Sequence, residues 1–227
     1  MKRGPTRSVI VLFCILMLSA CAVRERAVPA LQPDSGAQVW PQPPDIPRYA
    51  YAGTLIGDAD FLAKKVEKKS FGTKALEFII GLVFGAPDYL RLVRPVSGLI
   101  DGQGRVVVTD VGRPGVVVFD FKKMKADLWQ IAAEGQDFVS PIGIAEDGAG
   151  GFYVTDSQLG EVFHLGVNGE PLQGFGKRLL GRPTGIARDP ETGNYFVTDT
   201  EHHRIVVFSR EGEVLDTIGA RGTGLGR

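Results

Sequence analysis

The feature that most constrains this chain is a pattern that occurs three times after residue 93. Each copy opens on a proline, continues through an apolar stretch and ends on the tripeptide Val-Thr-Asp. The copies are residues 94–110, 140–156 and 182–199, and their Val-Thr-Asp motifs are spaced 46 and 43 residues apart. A unit that repeats at such a period cannot bury its apolar surface alone, so neighbouring copies must stack on one another.

Each copy contains the strands and turns of a four-stranded unit. The Val-Thr-Asp strand is followed by a turn, a third apolar strand, a second turn and a fourth segment. The third strands are predicted at 115–121, 161–167 and 204–209, and the fourth segments at 128–132, 171–176 and 214–219. Asn168-Gly169 and Glu211-Gly212 have the residue types of tight hairpin turns. A four-stranded unit that stacks radially on its neighbours is a β-propeller blade.

The third copy resembles the NHL repeat. The resemblance is carried by P-x-G-I-A, G-N-Y-F-V-T-D-T-E-H-H-R-I-V-V-F and G-x-V-L-x-T-I-G, and it extends more loosely over the first two copies, from 95 to 219. It implies an all-β fold, an NHL-type partial β-propeller of about three four-stranded blades over residues 94–227, with a short helical insert before the first blade. It also implies a six-bladed parent fold that usually serves as a binding scaffold and sometimes as an enzyme.

The number of copies is half of what a six-bladed ring needs. Six blades at this period take roughly 250 residues, so we expect a truncated copy of a six-bladed protein. A true three-bladed protein and a homodimer of half-propellers are the alternatives. Residues 49–58 hold a predicted strand, 49–57, that is similar to a fourth segment and is expected to close the ring. Residues 106–108 and 195–197 are expected to expose apolar surface on the open faces.

The first twenty residues have the organisation of a secretory signal peptide. Lys2, Arg3 and Arg7 precede the apolar run 9–18, and no acidic residue comes before Glu25. A bilayer core needs roughly 20 apolar residues in a helix, so this run is too short for a permanent transmembrane anchor. We therefore predict a cleaved signal over residues 1–20.

The residues that follow the apolar run, Leu18-Ser19-Ala20-Cys21, resemble the lipobox of bacterial lipoproteins. The resemblance implies that Cys21 is lipidated and becomes the new N-terminus, so that lipid on Cys21 holds the protein in the membrane of the bacterial cell envelope. An ordinary signal peptide is the alternative. Ala22 implies the periplasmic face of the outer membrane if the host has one.

Two segments separate Cys21 from the repeats. Residues 21–48 form a predicted tether, because 24–48 hold six prolines and few apolar residues. Residues 59–93 form the predicted helical insert, with helices at 59–69 and 73–84. The second helix is too apolar to lie free in water, so it packs on the main domain or lies on the membrane.

Charge and cysteine content exclude several functions. The chain has 26 Lys+Arg and 26 Asp+Glu, so it lacks the basic surplus of a nucleic-acid-binding protein. Cys14 lies in the predicted signal, which leaves Cys21 as the sole cysteine of the mature chain and allows no disulfide within it. We expect no cofactor.

Five repeat residues attract attention as candidate site residues, and we assign all of them a structural role. Asp110, Asp156 and Asp199 end the same strand in each copy, where an aspartate usually accepts hydrogen bonds from the following turn. His203 and Arg204 lie where NHL repeats commonly read N-H-R, so that only His202 departs from the repeat. A metal site on His202 and His203 is disfavoured, because neighbouring side chains of an extended segment point to opposite faces.

The alternative function is that of a propeller lactonase or lyase with a divalent metal in its channel. The first strands of the three copies offer Asp101, Glu146 and Arg188, which are no consistent ligand set. Nucleophile-elbow, zinc-protease and phosphate-loop motifs are absent from the sequence. We therefore predict no catalytic residue and no metal, and favour a scaffold for an unknown protein or small-molecule ligand.

Overall fold

A computed structural model describes residues 38–63 and 90–222 of the 227-residue chain. The predicted signal peptide, Cys21 and most of the predicted insert, including the helix at 73–84, lie outside the described residues. Within them, no helix has the length and apolar content needed to cross a membrane.

Three four-stranded antiparallel sheets make up most of the described chain. Blade 1 consists of β3 (Pro95–Ile100), β4 (Val106–Asp110), β5 (Gly115–Asp120) and β6 (Lys125–Trp129). Blade 2 consists of β9 (Pro141–Glu146), β10 (Phe152–Asp156), β11 (Glu161–Leu165) and β12 (Pro171–Phe175). Blade 3 consists of β13 (Pro183–Arg188), β14 (Tyr195–Asp199), β15 (Arg204–Phe208) and β16 (Val214–Ile218). In each sheet the strands pair in chain order, which confirms the predicted all-β class and the four-stranded repeat.

Short elements lie outside the blades. A small hairpin, β7 (Ile131–Ala133) with β8 (Gln136–Asp137), connects blades 1 and 2. Before blade 1 come β1 (Val39–Trp40), β2 (Tyr49–Ala50) and the helix α1 (Ala59–Ala63). Strands β1 and β2 pair with each other, so a hairpin begins inside the stretch predicted as a tether.

The predicted continuous strand over 49–57 is wrong in extent. Only β2 is a strand, and Gly57 forms an isolated bridge to Arg91. Residues 51–55 have no neighbouring strand within the described chain, so no ladder of hydrogen bonds defines them as a strand. The described part of the predicted helix at 59–69 is α1, where Asp60 accepts hydrogen bonds from the N–H groups of Ile56 and Gly57.

Blades 1 and 2 share one apolar core, and blades 2 and 3 share another. The first joins Val107 and Val118 to Phe152 and Val154 of blade 2. The second consists of residues from both blades and their connector: Tyr153, Val162, Phe175, Leu180, Tyr195, Val197, Val206 and Phe208. The two central strands of the middle blade, β10 and β11, therefore alternate their side chains between the two neighbouring blades.

A threonine hydroxyl bridges each of these two interfaces. Thr109 Oγ1 donates a hydrogen bond to the carbonyl oxygen of Ile142 at 2.7 Å, and Thr155 Oγ1 donates to that of Thr184 at 3.0 Å. The backbones approach so closely that a Cβ on Gly143 would lie 2.6 Å from the carbonyl oxygen of Thr184. This explains a glycine at that position.

The predicted exposure of residues 106–108 and 195–197 is wrong for most of these residues. Val107 packs against blade 2, and Val106 and Val108 are half-buried beside the N-terminal segment, which contributes Phe61. In blade 3, Tyr195 and Val197 face blade 2, whereas Phe196 points outward. The expectation overlooked the alternation of strand side chains and the cover that the N-terminal segment supplies.

Candidate interaction surfaces

The three Val-Thr-Asp aspartates are fully buried, and each accepts hydrogen bonds from backbone N–H groups of the connector before its blade. Asp110 accepts from Val93 and Arg94 of the preceding connector, at 2.6 and 2.8 Å, and from Gly112 and Arg113 of the following turn. Asp156 repeats the arrangement with its own connector and turn, through Val139, Ser140, Gln158 and Leu159. The aspartates therefore tie each connector to its blade, and they do not converge on a shared site.

The hydrogen bonds outweigh burial in setting the acidity of two of these carboxyl groups. Burial alone raises the pKa of Asp110, but the backbone N–H groups of Val93, Arg94, Gly112 and Arg113 hold it below its ordinary value of 3.8. The pKa of Asp199 is lowered in the same way, against burial, by Arg182, His202, Gly181 and Arg204. Both groups are consequently charged at neutral pH and stabilise the folded state there.

The third copy differs because side chains replace the turn's N–H groups. His202 Nδ1 lies 2.6 Å from Asp199 Oδ2, and Arg204 Nε donates to the same oxygen at 3.2 Å. Arg204 also donates to the carbonyl oxygen of Leu179 at 2.8 Å. His203 is exposed and has a φ of 54°, the left-handed conformation that Gly160 adopts in blade 2. Sequence reasoning missed the contact of His202.

A second aspartate series recurs at the opposite end of the same hairpins. Asp101, Asp147 and Asp189 each accept hydrogen bonds from the turn that follows the first strand. The strand register pairs Ile100 with Val106, Glu146 with Phe152 and Arg188 with Tyr195. Asp101 is therefore equivalent to Asp147 and not to Glu146, as the sequence comparison assumed. Among the described residues, no three His, Cys, Asp or Glu side chains are grouped to hold a metal ion.

The outward face of blade 3 carries a row of cross-strand neighbours. In blades 1 and 2, the equivalent row is covered by the next blade. Thr155, Val162 and Phe175 are cross-strand neighbours in blade 2, and blade 3 buries them. The equivalent row in blade 3 is Thr198, Ile205 and Ile218. These three residues line an open depression of about 560 Å³, and Ile218 is 49% exposed.

The hydroxyl of Thr198 shows the same difference. Thr198 Oγ1 lies 3.1 Å from Thr184 Oγ1 and 3.3 Å from the carbonyl oxygen of Gly185, and both partners belong to its own blade. The equivalent hydroxyls of Thr109 and Thr155 donate to the next blade. We call the row of Thr198, Ile205 and Ile218 the open row.

The N-terminal segment occupies the place of a fourth strand before blade 1. In blades 2 and 3, the residue three positions before the first proline donates its backbone N–H to a carbonyl oxygen. That oxygen belongs to the residue just after the fourth strand of the preceding blade. Phe138 donates to Gln130 and Leu180 to Gly176. Leu92 donates to Ile56 at 2.8 Å in the same way, so 51–55 lie where β6 and β12 lie relative to their following blades.

Comparisons with known proteins agree with this architecture. The model of the NHL repeat matches residues 180–208. The third blade is an NHL repeat. Together with the four-stranded sheets of blades 1 and 2 that precede it, this match confirms the NHL-type partial β-propeller expected from the sequence.

Curated relatives match a limited part of the chain. Peptidyl-glycine alpha-amidating monooxygenases A and B of Xenopus laevis are 39% and 37% identical to it over 85 and 93 residues. These matches cover 33% and 36% of this chain, but only 9% and 11% of the relatives. The chain thus spans about a tenth of their length.

Among solved structures, a catalytically inactive virginiamycin B lyase from Staphylococcus aureus, determined with quinupristin, superposes with a TM-score of 0.50. It is 15% identical, and the match covers 61% of this chain and 46% of the lyase. At that identity the similarity shows the fold alone.

The aspartate contacts predict a large effect of a small substitution. In Asp156→Asn either orientation of the amide places NH2 against two backbone N–H groups, so buried donors lose their acceptor. We expect a loss of about 3 kcal/mol in the free energy of unfolding, from one to three per unpaired group, measured by urea denaturation. Asp216→Asn, at an exposed carboxyl on β16, is the matched control and should change stability by less than about 0.5 kcal/mol. Equal effects of the two substitutions would refute the structural role of Asp156.

Proposed function

We propose that this protein is a lipid-anchored component of the bacterial cell envelope whose NHL-type blades form a binding scaffold. Lipid on Cys21 holds the chain to the membrane, and the proline-rich stretch before β1 sets the blades away from the surface. The observation that carries the scaffold role is the open row, because it matches rows that bind a neighbouring blade elsewhere in the chain.

A further blade of the same pattern is the partner that fits this face. Each existing interface has a backbone carbonyl that accepts from the threonine hydroxyl, and the interface between blades 2 and 3 also has a strand that approaches closely at Gly143. Phe196 and the open row offer the apolar part of such an interface. A blade supplies both requirements, and burying this surface stabilises the assembly by ~25 cal/mol per Å².

The N-terminal segment determines how a ring closes. Residues 51–55 already lie at the fourth-strand position before blade 1, so the blade that docks there needs only three strands of its own. A second copy of this chain would bring β16 to the place that 51–55 hold. The last blade of a ring that closes on residues 51–55 would therefore need three strands of its own. This favours such a blade over the homodimer of half-propellers.

The lipid anchor is tested at Cys21. Cys21→Ser removes the thiol that carries the lipid, so the protein should move from the membrane fraction to the soluble fraction of cells. Cys14→Ser, within the predicted signal, is the matched control and should leave the protein with the membrane. Retention of the Cys21→Ser protein in the membrane fraction would contradict the lipid anchor.

The open face is tested with the lipid-free chain, residues 22–227. We expect it to bind a hydrophobic dye, because Phe196 and Ile205 lie on a face that no neighbouring blade of the described chain covers. The double substitution Phe196→Ser with Ile205→Ser should remove most of the gain in dye fluorescence. Leu172→Ser is the matched control, since Leu172 is 45% exposed on β12 and lies away from this face. A monomeric chain that binds no dye, or an equal loss with Leu172→Ser, would contradict the proposal.

A further inference from the structure

Arg105 is a buried cation that belongs to blade 1 alone. It lies at the end of the turn between β3 and β4, where blades 2 and 3 have Gly151 and Asn194. Its side chain is 7% exposed, and Nε donates to Asp101 Oδ2 at 2.6 Å. At the equivalent position, Asp147 pairs with His164 at 3.0 Å and Asp189 accepts a hydrogen bond from the hydroxyl of Thr192, so the repeat itself does not require an arginine after this turn.

The guanidinium of Arg105 has hydrogen-bonding capacity that the described chain does not use. Its carbon lies 5.8 Å from the ring centres of both Trp129 and Phe152. Among the described residues, Nη2 is buried and has no hydrogen-bond partner. A buried charged donor without an acceptor is costly, so this position favours an additional acceptor.

A cavity of about 360 Å³ lies beside Arg105 between blades 1 and 2. This volume is within the range of small-molecule sites. Trp129 forms one wall, and Asn168 reaches the rim from the turn of blade 2 that precedes β12. Gly169, next to Asn168, approaches the indole so closely that a Cβ there would lie 2.3 Å from a ring carbon. The second blade thereby holds Trp129 in place.

Each of the three cations beside the cavity is paired with one acid, Arg105 with Asp101. Lys123 and Lys125 line it together with Arg105, whereas the acids are Asp120 and Asp127. Each lysine is within ion-pair distance of one acid, Lys123 of Asp120 at 3.3 Å and Lys125 of Asp127 at 2.8 Å. Asp120 also accepts the N–H groups of residues 122 and 123. The lining therefore has no excess charge, and its unused capacity is the Nη2 donor of Arg105. One donor matches a singly charged anion better than a dianion.

We propose that this cavity binds a small molecule that carries one carboxylate beside an apolar group. The carboxylate lies against the guanidinium of Arg105 and the two ammonium groups, since a guanidinium pairs readily with carboxylates. The apolar group lies against Trp129 and Val118. The site is away from the open row and does not depend on it.

The test uses the full chain in a Trp40→Phe background. The chain has two tryptophans, so Trp129 alone then reports on the cavity. Phenylacetate should change its fluorescence saturably, in the millimolar range, whereas uncharged phenylacetamide and inorganic phosphate should bind at least tenfold more weakly. Equal affinity for phenylacetamide, or no saturable change with phenylacetate, would overturn the proposal.

The lysines supply variants that keep the fold, because their side chains are 63% and 50% exposed. Lys123→Ala with Lys125→Ala should raise the Kd for phenylacetate at least threefold. Lys122→Ala is the matched control on the same turn and should leave the Kd unchanged. An equal rise with Lys122→Ala would show a nonspecific effect of charge and would contradict the site.

A peptide arm distinguishes two sources of the carboxylate. Gly-Gly-Phe with a free C-terminus is compared with the same peptide amidated and with phenylacetate. Tighter binding of the free peptide than of phenylacetate assigns the site to peptide C-termini, and weaker binding assigns it to small organic acids. Both results require the amidated peptide to bind more weakly than the free one, and the opposite order would overturn the carboxylate assignment.

Discussion

The structure depends on how each Val-Thr-Asp tripeptide satisfies backbone groups that the strand ladders leave unpaired. Each connector runs past the buried carboxylate that ends its Val-Thr-Asp strand, and N–H groups enclosed beside that carboxylate need acceptors. Asp110 and Asp156 each supply one carboxylate for four of them. The threonine beside each aspartate then bridges to the next blade, so one tripeptide fixes both the connector and the stacking direction.

That direction explains why the two ends of the described chain differ. In blade 1, the face nearest the N-terminal segment is covered by Leu55, Phe61 and Leu92. Blade 3 presents the open row on the opposite face. Stacking of this kind adds a blade in one orientation, since the threonine hydroxyl must donate to a backbone carbonyl of the next blade.

The fold was predictable because the strands and turns of each blade follow one another directly in the sequence. The spacing of Val-Thr-Asp and the hairpin turns located the four-stranded blades, with the predicted third strand at 161–167 observed as Glu161–Leu165. The packing of the N-terminal segment was less accessible, since Ile56 and Leu92 are joined across a long insertion. The extent of a strand also depends on whether a neighbouring strand pairs with it, as residues 51–55 show.

Side-chain sites were harder to predict because they depend on register and on neighbouring blades. Counting residues from the glycines placed Asp101 with Glu146, and only the hairpin register pairs it with Asp147. The contact of His202 with Asp199 occurs in a turn where His203 is left-handed, and the repeat pattern does not indicate this turn geometry. The cavity beside Arg105 combines a residue that only blade 1 has at its position with a turn from blade 2. The repeat pattern therefore does not predict the cavity.

The most direct test of the account compares the threonine hydroxyls of blades 2 and 3 by urea denaturation of residues 22–227. Thr155→Val leaves the Gly143 N–H and the Thr184 carbonyl without their partner and should cost about 2 kcal/mol of unfolding free energy. Thr198→Val likewise leaves the Gly185 N–H without its partner, but this hydroxyl is half-buried and bridges to no neighbouring blade in the described chain. The substitution should therefore cost only about 1 kcal/mol. Equal costs, or no cost for Thr155→Val, would contradict the claim that this hydroxyl joins adjacent blades.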